Sequence, residues 1–457
     1  MYRSLSFWHE TAGDDFTPRP SLQGHLEADI AITGAGYTGL WAAYYLKKLQ
    51  PDARIVVLES EVAGFGASGR NGGWATGEIA GDRDRIAARH GRESVGRLIR
   101  EMFQTVDEIG KVAAEEGIDC HFAKGGILTF ANNTAQFLRL HADLQHQRAW
   151  GLGEDDYRWL GPREVGERAR VAGSQGALYT PHAAAVHPGR LVRGLAEAVE
   201  RAGVPIYEKS RVTSLAPGLV TAVGGTVKAE VVLRCTEAFT RDLPGQRRTY
   251  LPIYSLMVAT EPLPDLVWEE IGFQDREVFN DARHLVIYGQ RTADRRFAFG
   301  GRGGSYHFGS AIDPAYDRQP RVHEAVAGIL RSLFPPLDKA AITHTWGGAV
   351  AIPRDWRPAV VFDRASGIGH AGGYVGEGVA ASNLAARTLA DLVIGRESEL
   401  TTLPWVQHRP RQWEPEPLRY VGVNAAIRLA PLADRMEART GRPSRLLGGL
   451  LDTLTGR

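Results

Sequence analysis

Hydrophobic and polar positions along this chain switch between two periods. Residues 28–33 form a short apolar run that reads as a buried strand, residues 40–49 carry apolar positions at helical spacing, and residues 55–58 form a second apolar run ending at Glu59. Together they make a βαβ unit. Residues 84–118 read as one helix, because Leu98, Ile99, Met102, Val106, Ile109 and Val112 recur three or four apart. Further strands are expected over 125–130, 204–207 and 227–234, and further helices over 135–150, 191–202, 322–334 and 376–394. Residues 250–305 are rich in β-formers and glycine, which predicts a mostly antiparallel sheet. Residues 1–27 read as an extended arm, since Pro18 and Pro20 block a helix. Parallel-type βα units thus interleave with a long β-rich stretch. The fold class is α/β: a Rossmann-type dinucleotide-binding domain with an inserted, mostly antiparallel β-sheet substrate domain. The expected limits are 28–85, 185–245 and 345–400 for the dinucleotide domain, 86–184 and 246–344 for the inserted domain, and 401–457 for a partly helical tail.

Composition narrows the partners. The chain has 457 residues and a net charge of +1, from 54 Lys and Arg against 53 Asp and Glu. This balance gives no electrostatic footprint for nucleic acid or an anionic membrane. Two cysteines, Cys120 and Cys235, make neither a disulfide framework nor a zinc site, and they suit a reducing cytoplasm. No metal site is expected. Residues 1–16 lack an apolar signal core, and no apolar run reaches the about 18 residues a membrane span needs.

The turn after the first strand carries the chemistry. Gly34, Gly36 and Gly39 fall in the GxGxxG spacing, between a strand and a helix opened by Tyr37 and Thr38. Gly34 permits the tight turn, Gly36 lets backbone approach a pyrophosphate, and Gly39 lets helix and sheet pack closely. The helix N-terminus offers N–H groups and positive dipole to phosphate. Glu59, followed by Ser60, ends the next strand, where a carboxylate accepts both ribose hydroxyls and disfavours a 2′-phosphate. The plainer reading is a glycine turn in an unrelated αβ unit, with none of this context. The loop behind Glu59 separates FAD from NAD. Residues 62–73 are small and weakly charged, and Gly66, Ala67, Ser68, Arg70, Asn71, Gly72 and Gly73 can lay backbone N–H groups along a diphosphate and a flat flavin ring. A mobile surface loop is the alternative. Far downstream, Gly373, Tyr374, Gly376, Gly378 and Val379 introduce a helix whose N-terminus suits the electron-accepting edge of a flavin, although a glycine turn capping a helix is common in itself.

These segments resemble the D-amino-acid oxidase and glycine oxidase superfamily of flavoproteins, and most of all its γ-glutamylputrescine oxidase-like group. The matching stretches are residues 17–22, residues 27–29 into the glycine turn, residues 62–73 (the most specific), Lys124-Gly125-Gly126, His187-Pro188, Phe299-Gly300-Gly301, Trp346-Gly347-Gly348 and residues 373–379. They cover about residues 1–400. The resemblance implies a D-amino-acid oxidase-like fold, one FAD per chain, and oxidation of a small-molecule amine to an imine with O2 as acceptor and H2O2 as product. It also implies that backbone near Val212 holds the adenine edge. Relatives that tether the flavin use a Cys or His that is missing from the matching positions here, so non-covalent FAD is expected. Sarcosine oxidase-like relatives carry an oxygen-activating Lys near residues 297–300, and no Lys stands there, which leaves open a dehydrogenase with another electron acceptor.

For the reaction itself, Tyr288, Arg302, Trp346 and Arg357 come from segments expected to face the flavin. Arg302 would favour a neutral amine or hold an anionic end, and Tyr288 and Trp346 would wall the substrate. For each, a packed or ion-paired residue of the sheet is the plainer reading. The bidentate Arg that holds a substrate carboxylate in amino-acid oxidases is missing just after Gly348, and Arg354 and Arg357 are the nearest substitutes. Glu377, where a neutral or basic residue is expected, is read as facing solvent. His187 is read as a turn residue before a helix rather than a base. The tail from Asn424 onward is read as a helix packed on the body, with a membrane or partner contact as the alternative.

Overall fold

The computed structural model describes residues 2–444, 447 and 449. The first apolar run is longer than its periodicity indicates. The strand Gly24–Thr33 pairs in parallel with Gly225–Arg234 on one side and Ile55–Leu58 on the other. Ile206–Tyr207 extends the sheet beyond Ile55–Leu58, and Ile368–Gly372 extends it beyond Gly225–Arg234, both in parallel. Ala359–Asp363 closes one edge antiparallel. All of Ile55–Leu58 is buried, as a parallel strand covered on both faces requires. The helices Tyr37–Leu49, Pro188–Arg201 and Gly378–Ile394 contribute Leu40, Trp41, Leu195, Leu384 and Leu389 to the core on this sheet.

The second sheet has 8 strands, in the order Ile342–Ile352, Leu251–Thr260, Phe297–Arg302, Ile287–Arg291, Val278–Asp281, Ile127–Phe130, Ala177–Thr180, Arg158–Leu160. Its neighbours are antiparallel except where Val278–Asp281 meets Ile127–Phe130. The mostly antiparallel reading therefore holds. Phe273, Phe279, Phe297 and Phe334 pack beneath the helix Pro320–Leu333 as its core. Thr76 and Ala183 pair in a small third sheet of Trp74–Thr76 and Ala183–Ala185.

Two local expectations change, and the tail keeps its expected form. The arm is not extended throughout: Tyr2–Leu5 and Phe7–Glu10 are short helical turns, because Phe7 and Trp8 are both 1% exposed and dock as a unit. The 84–118 helix is two helices, Arg83–His90 and Arg92–Glu115, broken at Gly91, whose φ of +83° a helix cannot continue. The tail forms the helix Leu418–Thr440, which packs through Ala426, Ala430 and Ala433. Asp434 accepts the backbone N–H groups of His284 and Leu285, and Glu437 pairs with Arg139 at 2.8 Å, so the body of the protein holds this helix. Most of residues 445–457 lie outside the described residues. Among the described residues no helix is long and apolar enough to cross a membrane.

Candidate cofactor and substrate site

The carboxyl ends of the parallel strands meet the loops that were singled out by sequence. Gly34 has φ +99°, and a Cβ there would lie 2.5 Å from the Cys235 carbonyl oxygen. A Cβ on Gly39 would lie 1.9 Å from the Gly34 carbonyl oxygen, so helix and turn touch through backbone alone. Gly36 caps the helix with no side-chain bond, while the Tyr37 N–H donates to the Ser68 hydroxyl at 2.9 Å. Glu59 accepts N–H groups from Ala35 at 2.8 Å and Glu61 at 3.0 Å and the Ser60 hydroxyl at 3.1 Å. Burial pushes its carboxyl up, against these donors. A carboxylate has about four lone-pair sites, so capacity for ribose hydroxyls remains.

These residues wall a cleft of about 330 Å³, lined also by Ser60, Gly66, Ala67, Val212, Cys235 and Glu237. Tyr37, Thr38, Ala67 and Ser68 continue into a second cavity of about 70 Å³, shared with Tyr374, Gly376, Gly378 and Val379 at the uncapped start of Gly378–Ile394. Ala67, Asn71, Val350 and Gly376 lead into a third cavity of about 60 Å³. The result is one channel past two helix N-termini, with backbone where side chains would obstruct. This arrangement fits an extended dinucleotide with a flat ring at its far end. Gly73 and Gly373 support the channel from behind: a Cβ on Gly73 would lie 2.1 Å from the Gln290 amide nitrogen, and one on Gly373 would lie 2.9 Å from Pro353. Cys235 borders the nucleotide cleft, and burial pushes its thiol up to about 12, which keeps it protonated and inert.

The third cavity is walled by Trp74 and Tyr288, whose ring centroids are 5.5 Å apart, with Val286 and Val350 beside them. The Tyr288 hydroxyl and the Ser255 hydroxyl are 2.5 Å apart. Arg70 and Gly72 also line it, but Arg70 is committed to Asp317 at 2.6 Å and to the Phe65 carbonyl at 2.8 Å. Glu377 does not face solvent. It lines this cavity, half-buried, and accepts the Thr76 hydroxyl at 3.0 Å.

Two expected substrate residues are placed elsewhere. Trp346 is 0% exposed and lies under the loop 62–73, donating its indole N–H to the Arg70 carbonyl at 3.0 Å; Gly348 and Val350, two and four residues further along the same face of the strand, reach the cavity instead. Arg357 packs against Ile79, Leu98 and Trp405 and donates to the Pro404 carbonyl at 3.4 Å, because the Trp356 turn directs it away. Arg354 likewise pairs with Glu414 at 2.9 Å. The side chain of Arg302 lies outside the described residues, while its backbone is the register partner of Ser255. His187 caps its helix by accepting the Arg190 N–H at 3.1 Å, the turn role expected of it. Sequence reasoning missed Trp74, Ser255, Val286 and Glu237. Only Trp74, next to the Gly72-Gly73 pair, had a signal in its position.

The family profile described as FAD dependent oxidoreductase, DAO, matches residues 29–392. The chain is 28% identical over 418 residues to gamma-glutamylputrescine oxidoreductase of Escherichia coli strain K12, spanning 90% of this chain and 94% of that protein. It is 23% identical over 394 residues to glycine oxidase of Geobacillus kaustophilus, spanning 82% of this chain and 96% of that protein. The crystal structure of glycine oxidase from Geobacillus kaustophilus superposes with a TM-score of 0.69 at 21% identity, covering 84% of this chain and 100% of that one. L-Proline dehydrogenase from P. horikoshii superposes with a TM-score of 0.67 at 19% identity, covering 85% and 98%. These superpositions establish the shared fold, and with the profile match over most of its length the chain belongs to the DAO family of FAD-dependent oxidoreductases.

Proposed function

We propose that the protein oxidises a primary or secondary amine of the γ-glutamylputrescine type to an imine, which water then hydrolyses, with O2 as final acceptor and H2O2 as product. The relatives named above support the amine class. The observation that carries the reading is the aromatic-walled cavity of Trp74 and Tyr288 opening onto the ring end of the cofactor channel. FAD, held without a covalent tether, supplies the hydride acceptor when bound. We assign its adenosine half to Glu59, Ser60 and Val212 and its ring end to Asn71, Gly72, Gly376 and Val379. The chain's part is to position and desolvate the amine. Walls of Trp74, Val286 and Val350 desolvate the amine and act toward the neutral form, whose α-hydride leaves readily, while the Glu377 carboxyl in the same wall acts toward the ammonium and can hold the nitrogen in place. The paired hydroxyls of Tyr288 and Ser255 orient it. Arg302, opposite Ser255 in register, stays in the proposed substrate set. The antiparallel sheet is thus assigned to substrate and the parallel sheet to cofactor. Two buried, unpaired thiols support a reducing cytoplasmic setting.

A dehydrogenase passing electrons to another acceptor is the second reading, favoured by the lack of a lysine anywhere in Phe297–Arg302. An anaerobic visible spectrum recorded while amines are added tests the first claim: flavin bands bleach with the true substrate, and bands that no amine bleaches refute amine oxidation. Peroxide formed per amine consumed, measured in air, separates oxidase from dehydrogenase. Tyr288→Phe removes one partner of the hydroxyl pair, a loss of about 1 kcal/mol. We expect kcat/KM to fall about fivefold, with flavin content unchanged. Unaltered kcat/KM removes Tyr288 from the substrate site.

A further inference from the structure

Glu237 stands at the waist of the channel, lining both the nucleotide cleft and the second cavity. It opens the short 3-10 helix Glu237–Asp242, just past the end of the strand Gly225–Arg234. Its φ is +42°, a region that non-glycine residues rarely adopt. The side chain reaches across to the Gly372-to-Tyr374 turn, where the Tyr374 N–H donates to Oε1 at 3.5 Å. The other oxygen, Oε2, is buried and has no hydrogen-bond partner among the described residues. Backbone closes on it from one side, since a Cβ on Gly372 would lie 3.8 Å away. A buried, unpartnered carboxyl oxygen costs free energy unless something else satisfies it.

We propose that Glu237, which lines the channel with its second carboxyl oxygen closed off against the Gly372 turn, binds the cofactor as a neutral carboxylic acid, donating its carboxyl proton to an oxygen of the FAD diphosphate or ribityl chain, so that FAD affinity falls as this carboxyl ionises. The proposal rests on the channel being the FAD site. An ionised carboxylate has no proton to donate and would repel an anionic diphosphate at the same place. The surroundings favour the acid. Burial pushes the Glu237 carboxyl up to about 7, against the N–H groups of Tyr374 and Gly373 and the charge of Arg234. Arg234 is itself engaged, donating to the Gln246 side-chain oxygen at 3.0 Å. Cys235 and Tyr250, which also face the site, are each pushed up to about 12 by burial, Tyr374 is raised further, and all three stay neutral. Arg241, on the same short helix, pairs with Asp242 at 3.0 Å. A bound diphosphate adds negative charge and raises the Glu237 carboxyl again. The sign follows: the binding-competent acid predominates at low pH, and affinity is lost as pH rises through the carboxyl's value.

The test is FAD titration of the apoprotein, followed by flavin fluorescence, from about pH 6 to about pH 9. Wild type should bind tightly at the acid end and weaken toward tenfold per pH unit at the alkaline end. Glu237→Gln keeps a neutral donor of the same shape and should bind with a pH-independent Kd close to the acid-limit value of wild type. A wild-type Kd that is flat with pH, or a Gln variant that keeps the wild-type slope, overturns the proposal. If the apoprotein does not survive cofactor removal, FAD release from the holoenzyme over the same range reads the same profile. No amine is present in either experiment, so failure of the amine-oxidation reading leaves this result unaffected.

Discussion

Gly39→Val is expected to give a colourless protein. The strand-to-helix turn brings the backbone of Gly34 so close that even the first carbon of a side chain at 39 would lie 1.9 Å from its carbonyl oxygen and 3.3 Å from Ile32. Neither obstacle can move cheaply: one is backbone, and Ile32 is 0% exposed in the core of the sheet. Overpacking of this kind costs about 3 kcal/mol. The strain falls on the turn that holds the channel open at Gly34 and Gly36, so we expect FAD affinity to drop by roughly 100-fold or more. The ratio of flavin to protein absorbance after purification reads the effect directly, and a variant that stays as yellow and heat-stable as wild type contradicts it. Gly422→Ala is the matched control. A Cβ there meets nothing within 4 Å in the helix Leu418–Thr440, and alanine should stabilise by a few tenths of a kcal/mol up to about 1.

Glu208→Ala should produce the largest loss of stability among single side-chain truncations at the site. Glu208 is 0% exposed, and its carboxylate collects donors from three parts of the chain. The Arg19 N–H and guanidinium reach it at 2.8 and 3.0 Å, the Ala63 N–H at 2.7 Å, and the buried Arg193 guanidinium at 3.3 Å. This one anion ties the N-terminal arm, the start of the flavin loop and the helix Pro188–Arg201 together. Truncating it leaves Arg19 with Glu200 alone as counter-charge, Arg193 with Asp14 alone, and an amide without a partner, a cost of about 3 kcal/mol. We expect the thermal midpoint to fall by about 5 °C or more, with faster FAD release because residue 63 anchors the loop. A midpoint within about a degree of wild type would mean that Asp14, which also pairs with Arg193 at 2.5 Å, carries the junction instead.

The parts of the fold that could be read in advance were those with local causes. Gly34, Gly36 and Gly39 are demanded by contacts within a single βαβ turn, and the residues 62–73 announce close backbone approach through their small side chains. The parallel and antiparallel sheets also follow from local periodicity, since burial on both faces gives continuous apolar runs and burial on one face gives alternation. Gly91 shows the limit: apolar spacing continues across it, and only the backbone conformation at that residue shows two helices where one was expected.

The substrate end was beyond local reading because its walls come from strands far apart in the chain. Ser255 meets Tyr288 only through sheet register, which places Ser255 opposite Gly348 on one side and Arg302 on the other. Trp346, Gly348 and Val350 share one face of their strand, and the segment that crosses it decides their roles: Trp346 is buried beneath the Arg70 carbonyl, while Gly348 and Val350, further along, reach the cavity. Glu377 turns inward because Thr76, some three hundred residues earlier, offers it a hydroxyl. Glu237 becomes a candidate FAD ligand only when the turn at Gly372 closes over its carboxyl. The sequence by itself determined the family, the cofactor and the geometry of the glycine turn proposed to cradle it, since these depend on short-range steric requirements. Which polar groups face the proposed substrate cavity, and which carboxyls are buried without partners, was decided by long-range packing, because burial and register exist only once the two sheets are assembled.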